Sequence, residues 1–187
     1  MLEQVILVDE DNNQIGTMPK SDVHTDKTPL HRAFSCYMFN KNGDFLISQR
    51  ALSKKVWPGV WSNSVCGHPL PGEEMIAAIK RRFKDELGMT ACNFDLLLPK
   101  YRYTSPAYNG IIENEICPVY IAQFVDSSSI NPDETEAIRW IKWKDFIKEA
   151  ESDKTGKFSW WCKDQLKQIK NNELIKRYST GDSRNSK

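Results

Sequence analysis

The sequence predicts a layered domain of the α+β or α/β class, in which a mixed β-sheet carries helices, and three observations point that way. Short apolar runs separated by polar turn clusters fill the first half, the stretch Glu73 to Leu87 changes to a helical period, and extended and helical segments then follow one another to the end. The 187 residues suffice for one hydrophobic core. A single domain is expected over residues 1–179, with 180–187 as a loose polar tail.

Val5 to Asp9 and Gln14 to Met18 flank Glu10-Asp11-Asn12-Asn13 and predict an N-terminal hairpin. Lys20 to His31 is polar, ends at Thr28-Pro29, and reads as an ordered loop rather than a helix. Ala33 to Asn40 and Phe45 to Arg50 flank a turn marked by Asn42-Gly43, predicting a second hairpin. From Glu73 to Leu87, Ile76, Ile79, Phe83 and Leu87 fall on one helical stripe, and Gly88 supplies a stop. Extended segments are expected around Phe94 to Tyr103, Ile111 to Phe124 and Ile138 to Trp143, and helices near Lys144 to Glu151 and Trp160 to Lys170. The basic stretch Lys163 to Arg177 reads as a solvated helix face.

Lys plus Arg number 26 against 25 Asp plus Glu, a net charge of +1. That balance supplies no long-range field for nucleic acid or an acidic membrane. Five cysteines without a CxxC pair argue against a disulfide framework or zinc ribbon and favour a reducing compartment. The only apolar run in Met1 to Glu10 is Val5 to Val8, with acidic neighbours, which suits neither a signal peptide nor a spanning helix. A cytoplasmic location is expected.

Chemistry-bearing residues stand out against this background. All three histidines, His24, His31 and His68, fall in loops or at element ends. Glu113 and Glu115 lie two apart in an apolar extended segment, so both carboxylates share one strand face. Such a pair is either the solvated face of an edge strand or a cation site, where a metal would remove the repulsion. Cys66, in Asn63-Ser64-Val65-Cys66-Gly67-His68-Pro69, sits in a Gly- and Pro-rich turn and is the candidate reactive thiol, whereas Cys36, Cys92 and Cys117 read as small hydrophobes. Arg82 and Glu86 form an i,i+4 pair at the edge of the helical stripe, while Asp85 points to solvent.

From Gly67 the chain runs Gly67-x5-Glu73-x7-Arg81-Arg82-Phe83-Lys84-Asp85-Glu86-Leu87-Gly88-Met89, which has the spacing of the Nudix box but carries Arg82 and Asp85 where the box has glutamates. Losing the first of those carboxylates to a cation weakens the case for metal-assisted hydrolysis. His24-x6-His31, Arg50 to Lys55, Trp57-Pro58-Gly59-Val60-Trp61, Asn63 to Pro69 and Glu113-Asn114-Glu115 extend the pattern. Together these segments resemble the type I isopentenyl-diphosphate isomerases of the Nudix superfamily, from about Glu3 to Trp161.

The resemblance implies a Nudix-like α/β/α sandwich with N-terminal hairpin strands. It implies that His24, His31, His68, Glu113 and Glu115 bind a divalent ion, Mn2+, Mg2+ or Zn2+, and that Glu86 and the Cys66 carbonyl seat a Mg2+ brought with the substrate diphosphate. It implies a 1,3-allylic proton shift between isopentenyl and dimethylallyl diphosphate. In that reaction Glu115, aided by Tyr103, is the acid, Cys66 the opposing base, and Trp161 the aromatic wall for a carbocation. Lys20, Arg50, Lys54 and Arg82 match the diphosphate anchors, a role that accounts for the arginine in the box. The expected partner is a small prenyl diphosphate, with no nucleic acid and no membrane, and the chain is expected as a monomer or weak homodimer. Two rival readings are a Nudix pyrophosphohydrolase and a non-enzymatic domain with a structural metal site.

Overall fold

In the computed structural model, which describes residues 3–181, two sheets share one central spine of strands. The larger contains β4 (Phe34–Phe39), β5 (Asp44–Arg50), β6 (Trp61–Ser62), β7 (Val65–Gly67), β8 (Met89–Leu98), β11 (Val119–Ser127) and β12 (Thr135–Lys142). Its main order is β12-β5-β4-β11-β8, with β6 paired to β5 and β7 to β4. The smaller contains β1 (Gln4–Val8), β2 (Gln14–Pro19), β3 (His31–Arg32), β9 (Arg102–Thr104) and β10 (Asn114–Ile116), in the order β2-β1-β3-β10-β9. The helices are α1 (Lys20–Val23), α2 (Met75–Leu87), α3 (Trp143–Ser152), α4 (Trp160–Ile169) and α5 (Glu173–Ser179).

Every residue of β4 is buried, so the strand is covered on both faces. Period 2 sends Phe34, Cys36 and Met38 toward Ile79, Phe83 and Leu87 of α2. The alternate residues Tyr37 and Phe39 join Phe45, Ile47, Phe146, Leu166, Ile169 and Ile175 in the other core, under α3, α4 and α5. The molecule is therefore the expected α/β/α sandwich with a mixed sheet. The predicted stripe on α2 is the one that packs, and Gly88 closes the helix in a left-handed conformation, φ 59°, with its N–H bonded to Lys84 O. A side chain at Gly88 would also meet the Ser129 carbonyl.

The spine is a parallel pair that changes sheets in step. β3 runs into β4 through Ala33, and β10 runs into β11 through Cys117-Pro118. Ala33 N bonds Ile116 O at 2.9 Å and Ser35 N bonds Pro118 O at 3.2 Å, so the ladder is unbroken across the change.

Several expectations need correction. Lys20 to His31 is not all loop: Lys20–Val23 forms one helical turn that buries Val23, and His31 opens β3. The two strands around Asn42-Gly43 pair only at Phe39 and Phe45, because β4 takes β7 and β11 as neighbours and β5 takes β12 and β6. The segment Phe94 to Tyr103 divides between the two sheets, and so does Ile111 to Phe124, the latter at Cys117-Pro118, where the chain passes from one sheet to the other. The basic stretch Lys163 to Arg177 also holds part of α5, which buries Ile175 and Tyr178. Thr180 caps α5 and Gly181 N bonds the Tyr178 carbonyl at 3.2 Å; residues 182–187 of the expected tail lie outside the described residues.

Candidate active site and metal centre

β10 lies between β3 and β9, inside its sheet, so the solvated-edge reading of Glu113 and Glu115 fails. Glu115 is a register partner of His31 on one side and of Tyr103 on the other, and partners in register project on the same face. His24 follows α1 directly and His68 follows β7, so four chain segments deliver five side chains to one place.

His68 Nε2 is 3.1 Å and His31 Nε2 3.6 Å from Glu115 Oε1, and His24 Nε2 is 3.0 Å from Glu113 Oε2. The ring centroids of the three histidines are 5.0 to 5.6 Å apart. His31 Nδ1 is 2.9 Å from the carbonyl of Pro29, a contact that makes Nδ1 the donor and leaves the Nε2 lone pair facing the cluster. His24 Nε2, His31 Nε2 and Glu113 Oε2 are buried yet make no hydrogen bond. Unsatisfied nitrogens and a carboxylate oxygen converging in this way fit a divalent cation.

Burial pushes the Glu115 carboxyl up, but hydrogen bonds and charge from His31 and His68 more than offset it and hold the group below the ordinary carboxylate range. Burial likewise pulls His68 down, and there it prevails. At His31 the contact with Glu115 outweighs burial and the ring is shifted up.

A cavity of about 430 Å3 opens beside this cluster, lined by His24, His68, Glu113 and Glu115, by Cys66, Tyr103 and Trp161, and by Lys20, Arg50, Lys54, Arg82 and Glu86. Of the candidate site residues expected from the sequence, His31 alone does not line the cavity and lies behind its wall, fully buried. Cys66 comes from β7 in the larger sheet and Glu115 from β10 in the smaller, so they reach the cavity from different sheets.

Cys66 Sγ donates to Asn63 Oδ1 at 3.3 Å and lies 3.3 Å from Ser35 Oγ. Burial pushes its thiol up to about 11, and the Glu115 and Glu86 charges add to that against these two hydrogen bonds. Tyr103 packs between the rings of Tyr101 and Trp160, at 5.6 and 5.7 Å. Trp161, in the first turn of α4, donates its indole N–H to Ser62 Oγ at 2.9 Å and meets Trp57 edge-on at 5.4 Å.

The four cationic residues are differently held. Lys20 Nζ is 3.0 Å from Glu3, Arg82 Nε bonds Glu86 Oε1 at 2.7 Å, and Arg50 donates to the Val56 carbonyl at 3.2 Å. Lys54 Nζ is 2.6 Å from Glu134. Burial pushes the Glu86 carboxyl up, against the pull of Arg82.

Sequence reasoning missed Glu134, Tyr108, Ser35 and Gln165 and quoted Trp57 only as part of a motif; Glu134, Trp57 and Tyr108 are all placed by loops. Tyr108 packs on Trp57 at 5.5 Å. Gln165 is fully buried on the apolar face of α4, where its Nε2 donates to Ser35 Oγ and its Oε1 accepts from Tyr37. A glutamine interrupting an apolar helix stripe was the available signal.

The family and the fold are matched among known proteins. The NUDIX domain model matches residues 29–162. The chain is 45% identical to the isopentenyl-diphosphate Delta-isomerase of Citrobacter koseri over 179 residues, 96% of this chain and 98% of that one. It is 44% identical to the enzyme of that name from Saccharopolyspora erythraea over 168 residues, 90% and 86% of the two chains. A crystal structure of a Deinococcus radiodurans protein matches with a TM-score of 0.68 at 18% identity, covering 89% of this chain and 99% of that one, which bears on the fold alone. With a family model spanning most of the sandwich and relatives aligned nearly end to end, this chain belongs to the NUDIX family and, within it, to the isopentenyl-diphosphate Delta-isomerases.

Proposed function

We propose that the cavity takes isopentenyl diphosphate and interconverts it with dimethylallyl diphosphate by adding a proton at C4 and removing one from C2. The observation that carries this reading is the pairing of Cys66 and Glu115, two proton-transfer groups that enter one cavity from different sheets. An allylic shift through a cation needs an acid and a base on separate sides of the hydrocarbon, and the entry of Glu115 and Cys66 from different sheets supports reading them in those roles.

The diphosphate binds through Lys20, Arg50, Lys54 and Arg82, four cations on the wall of the cavity. In the forward direction the Glu115 carboxyl, with the Tyr103 hydroxyl beside it, gives its proton to C4, and Cys66 Sγ takes one from C2. In the free pocket Glu115 is a carboxylate and Cys66 a thiol, the state left by a forward turnover and ready for the reverse. A forward cycle therefore begins once a proton has passed from Sγ to the carboxyl. The Trp161 face stabilises the tertiary cation, and Trp57 and Tyr108 pack over it against water.

His24, His31, His68, Glu113 and Glu115 would hold Mn2+, Mg2+ or Zn2+, and Glu86 with the Cys66 carbonyl a Mg2+ carried by the diphosphate. Such ions supply positive charge that fixes the acid strength of the carboxyl and neutralises phosphate. Incubation with isopentenyl diphosphate and Mg2+ should yield dimethylallyl diphosphate and no free phosphate. Phosphate release without isomerisation would point instead to a hydrolase.

A further inference from the structure

Glu134 places one carboxylate oxygen against two of the proposed diphosphate anchors. Its Oε2 is 2.6 Å from Lys54 Nζ and 3.0 Å from Arg82 Nη2, and the side chain lines the cavity. The position is built in by backbone bonds on both sides. Asn131 N bonds the carbonyl of Glu86 at 3.0 Å, which ties the turn Asn131 to Glu134 to α2, and Ala51 N bonds the Glu134 carbonyl at 3.1 Å, which ties it to the loop bearing Lys54. Glu134 N closes the turn on Asn131 O at 3.1 Å.

The consequence is electrostatic. In the free pocket Lys54 and Arg82 are already neutralised by Glu134 and Glu86, and of the four anchors only Arg50 makes no ion pair among the described residues. A diphosphate arriving alone has to approach two carboxylates and compete with Glu134 for both cations. One arriving with a bound divalent cation turns positive charge toward those carboxylates and leaves Lys54 and Arg82 to its oxygens.

We propose that Glu134 is a specificity-determining residue that makes the pocket select the cation-loaded diphosphate over the metal-free one. The inference rests on reading Lys54 and Arg82 as diphosphate anchors, and it concerns which form of the ligand is accepted rather than the proton transfers. Glu134 acts by excluding the wrong form, through a carboxylate left facing an uncompensated anion.

Calorimetric titration with inorganic pyrophosphate, once with Mg2+ and once with EDTA, tests it on the wild type, Glu134→Gln and Glu134→Ala. Both substitutions keep the backbone bonds that fix the turn, and circular dichroism checks that each variant is folded. The wild type should bind the Mg2+ form more tightly, and both variants should bind metal-free pyrophosphate about tenfold more tightly than the wild type does, narrowing the ratio between the two conditions. An unchanged ratio, or equal weakening in both conditions, would overturn the proposal by showing that Glu134 only braces Lys54 and Arg82. If the wild type bound pyrophosphate in neither condition, the diphosphate reading itself would fall and take this inference with it. That result differs from the others because the wild type alone reveals it.

Discussion

Ser35 Oγ lies 3.3 Å from Cys66 Sγ, and the same oxygen accepts a hydrogen bond from Gln165 at 2.9 Å. The same oxygen is also 3.5 Å from Cys117 Sγ, so Ser35 ties Cys66 to a buried set of polar side chains on the side away from the cavity. Replacing sulfur by oxygen keeps the shape and loses the acid/base chemistry, because a hydroxyl is a far weaker acid. Cys66→Ser should keep the far-ultraviolet circular dichroism and pyrophosphate binding of the wild type while turnover falls by about a thousandfold. Near-normal turnover would remove Cys66 from the mechanism.

The raised thiol has a signature in pH. Since burial pushes Cys66 up to about 11, its thiolate fraction at neutral pH is below that of an ordinary cysteine. Alkylation of Cys66 by iodoacetamide, followed by peptide mass spectrometry, should therefore be slow near pH 7 and climb until about pH 11. The sign for stability follows: the folded state keeps the proton longer than the unfolded chain, so this group's contribution is intact below pH 9 and is lost as pH rises toward 11. A plateau in alkylation near pH 8 would contradict the burial argument.

The unsatisfied nitrogens of the histidine cluster predict linked losses. His24→Ala, His31→Ala and His68→Ala should each lower bound divalent metal, measured by elemental analysis after dialysis, together with isomerase activity, by about ten- to a hundredfold in affinity or rate. Full metal occupancy in all three variants would exclude the five-residue site.

Arg82→Glu restores the first of the two missing box glutamates, Asp85 remaining at the second, but removes a cation that pairs with both Glu86 and Glu134. Three carboxylates would then face one another, so pyrophosphate binding should fall by about tenfold or more and hydrolysis of a nucleoside diphosphate should stay negligible. Rapid phosphate release by this variant would show that a hydrolase had merely been masked.

Proton exchange tests the chemistry directly. In D2O the first dimethylallyl diphosphate formed should carry deuterium in its new methyl group, as NMR and mass spectrometry can show, because the acid equilibrates with solvent between turnovers. An unlabelled methyl after one turnover would mean an intramolecular shift, which Cys66 and Glu115 could not perform. Glu115→Gln should lose isomerisation and labelling in parallel.

The reach of the sequence can be judged from particular residues. Glu113 and Glu115 were legible as a pair because strand period alone puts them on one face, and the α2 stripe because each of its members packs. What brought His31 beside Glu115 was a parallel pairing between segments far apart in the chain, which no local pattern encodes. Arg82 and Glu86 had the spacing of a simple helix-surface pair, and only the turn that delivers Glu134 makes them part of a charge network. The split of two long extended segments between sheets escaped notice for the same reason: Pro118 is visible in the sequence, but which sheet follows it depends on the partner strand.

The parallel spine that changes sheets at Ala33 and Cys117 has a dynamic consequence. Its amides are hydrogen-bonded across the change, and the side chains around them are buried, so Ala33, Ser35 and Cys117 should be among the slowest in the molecule to exchange with heavy water. β7, which carries Cys66, is bonded to one half of the spine, and β10, which carries Glu115, belongs to the other half. Separating the two groups would require opening this ladder, an excursion close to global unfolding. The cavity wall at Trp57 and Tyr108 is built from loops outside that ladder, so a local opening there would leave the spacing of Cys66 and Glu115 unchanged.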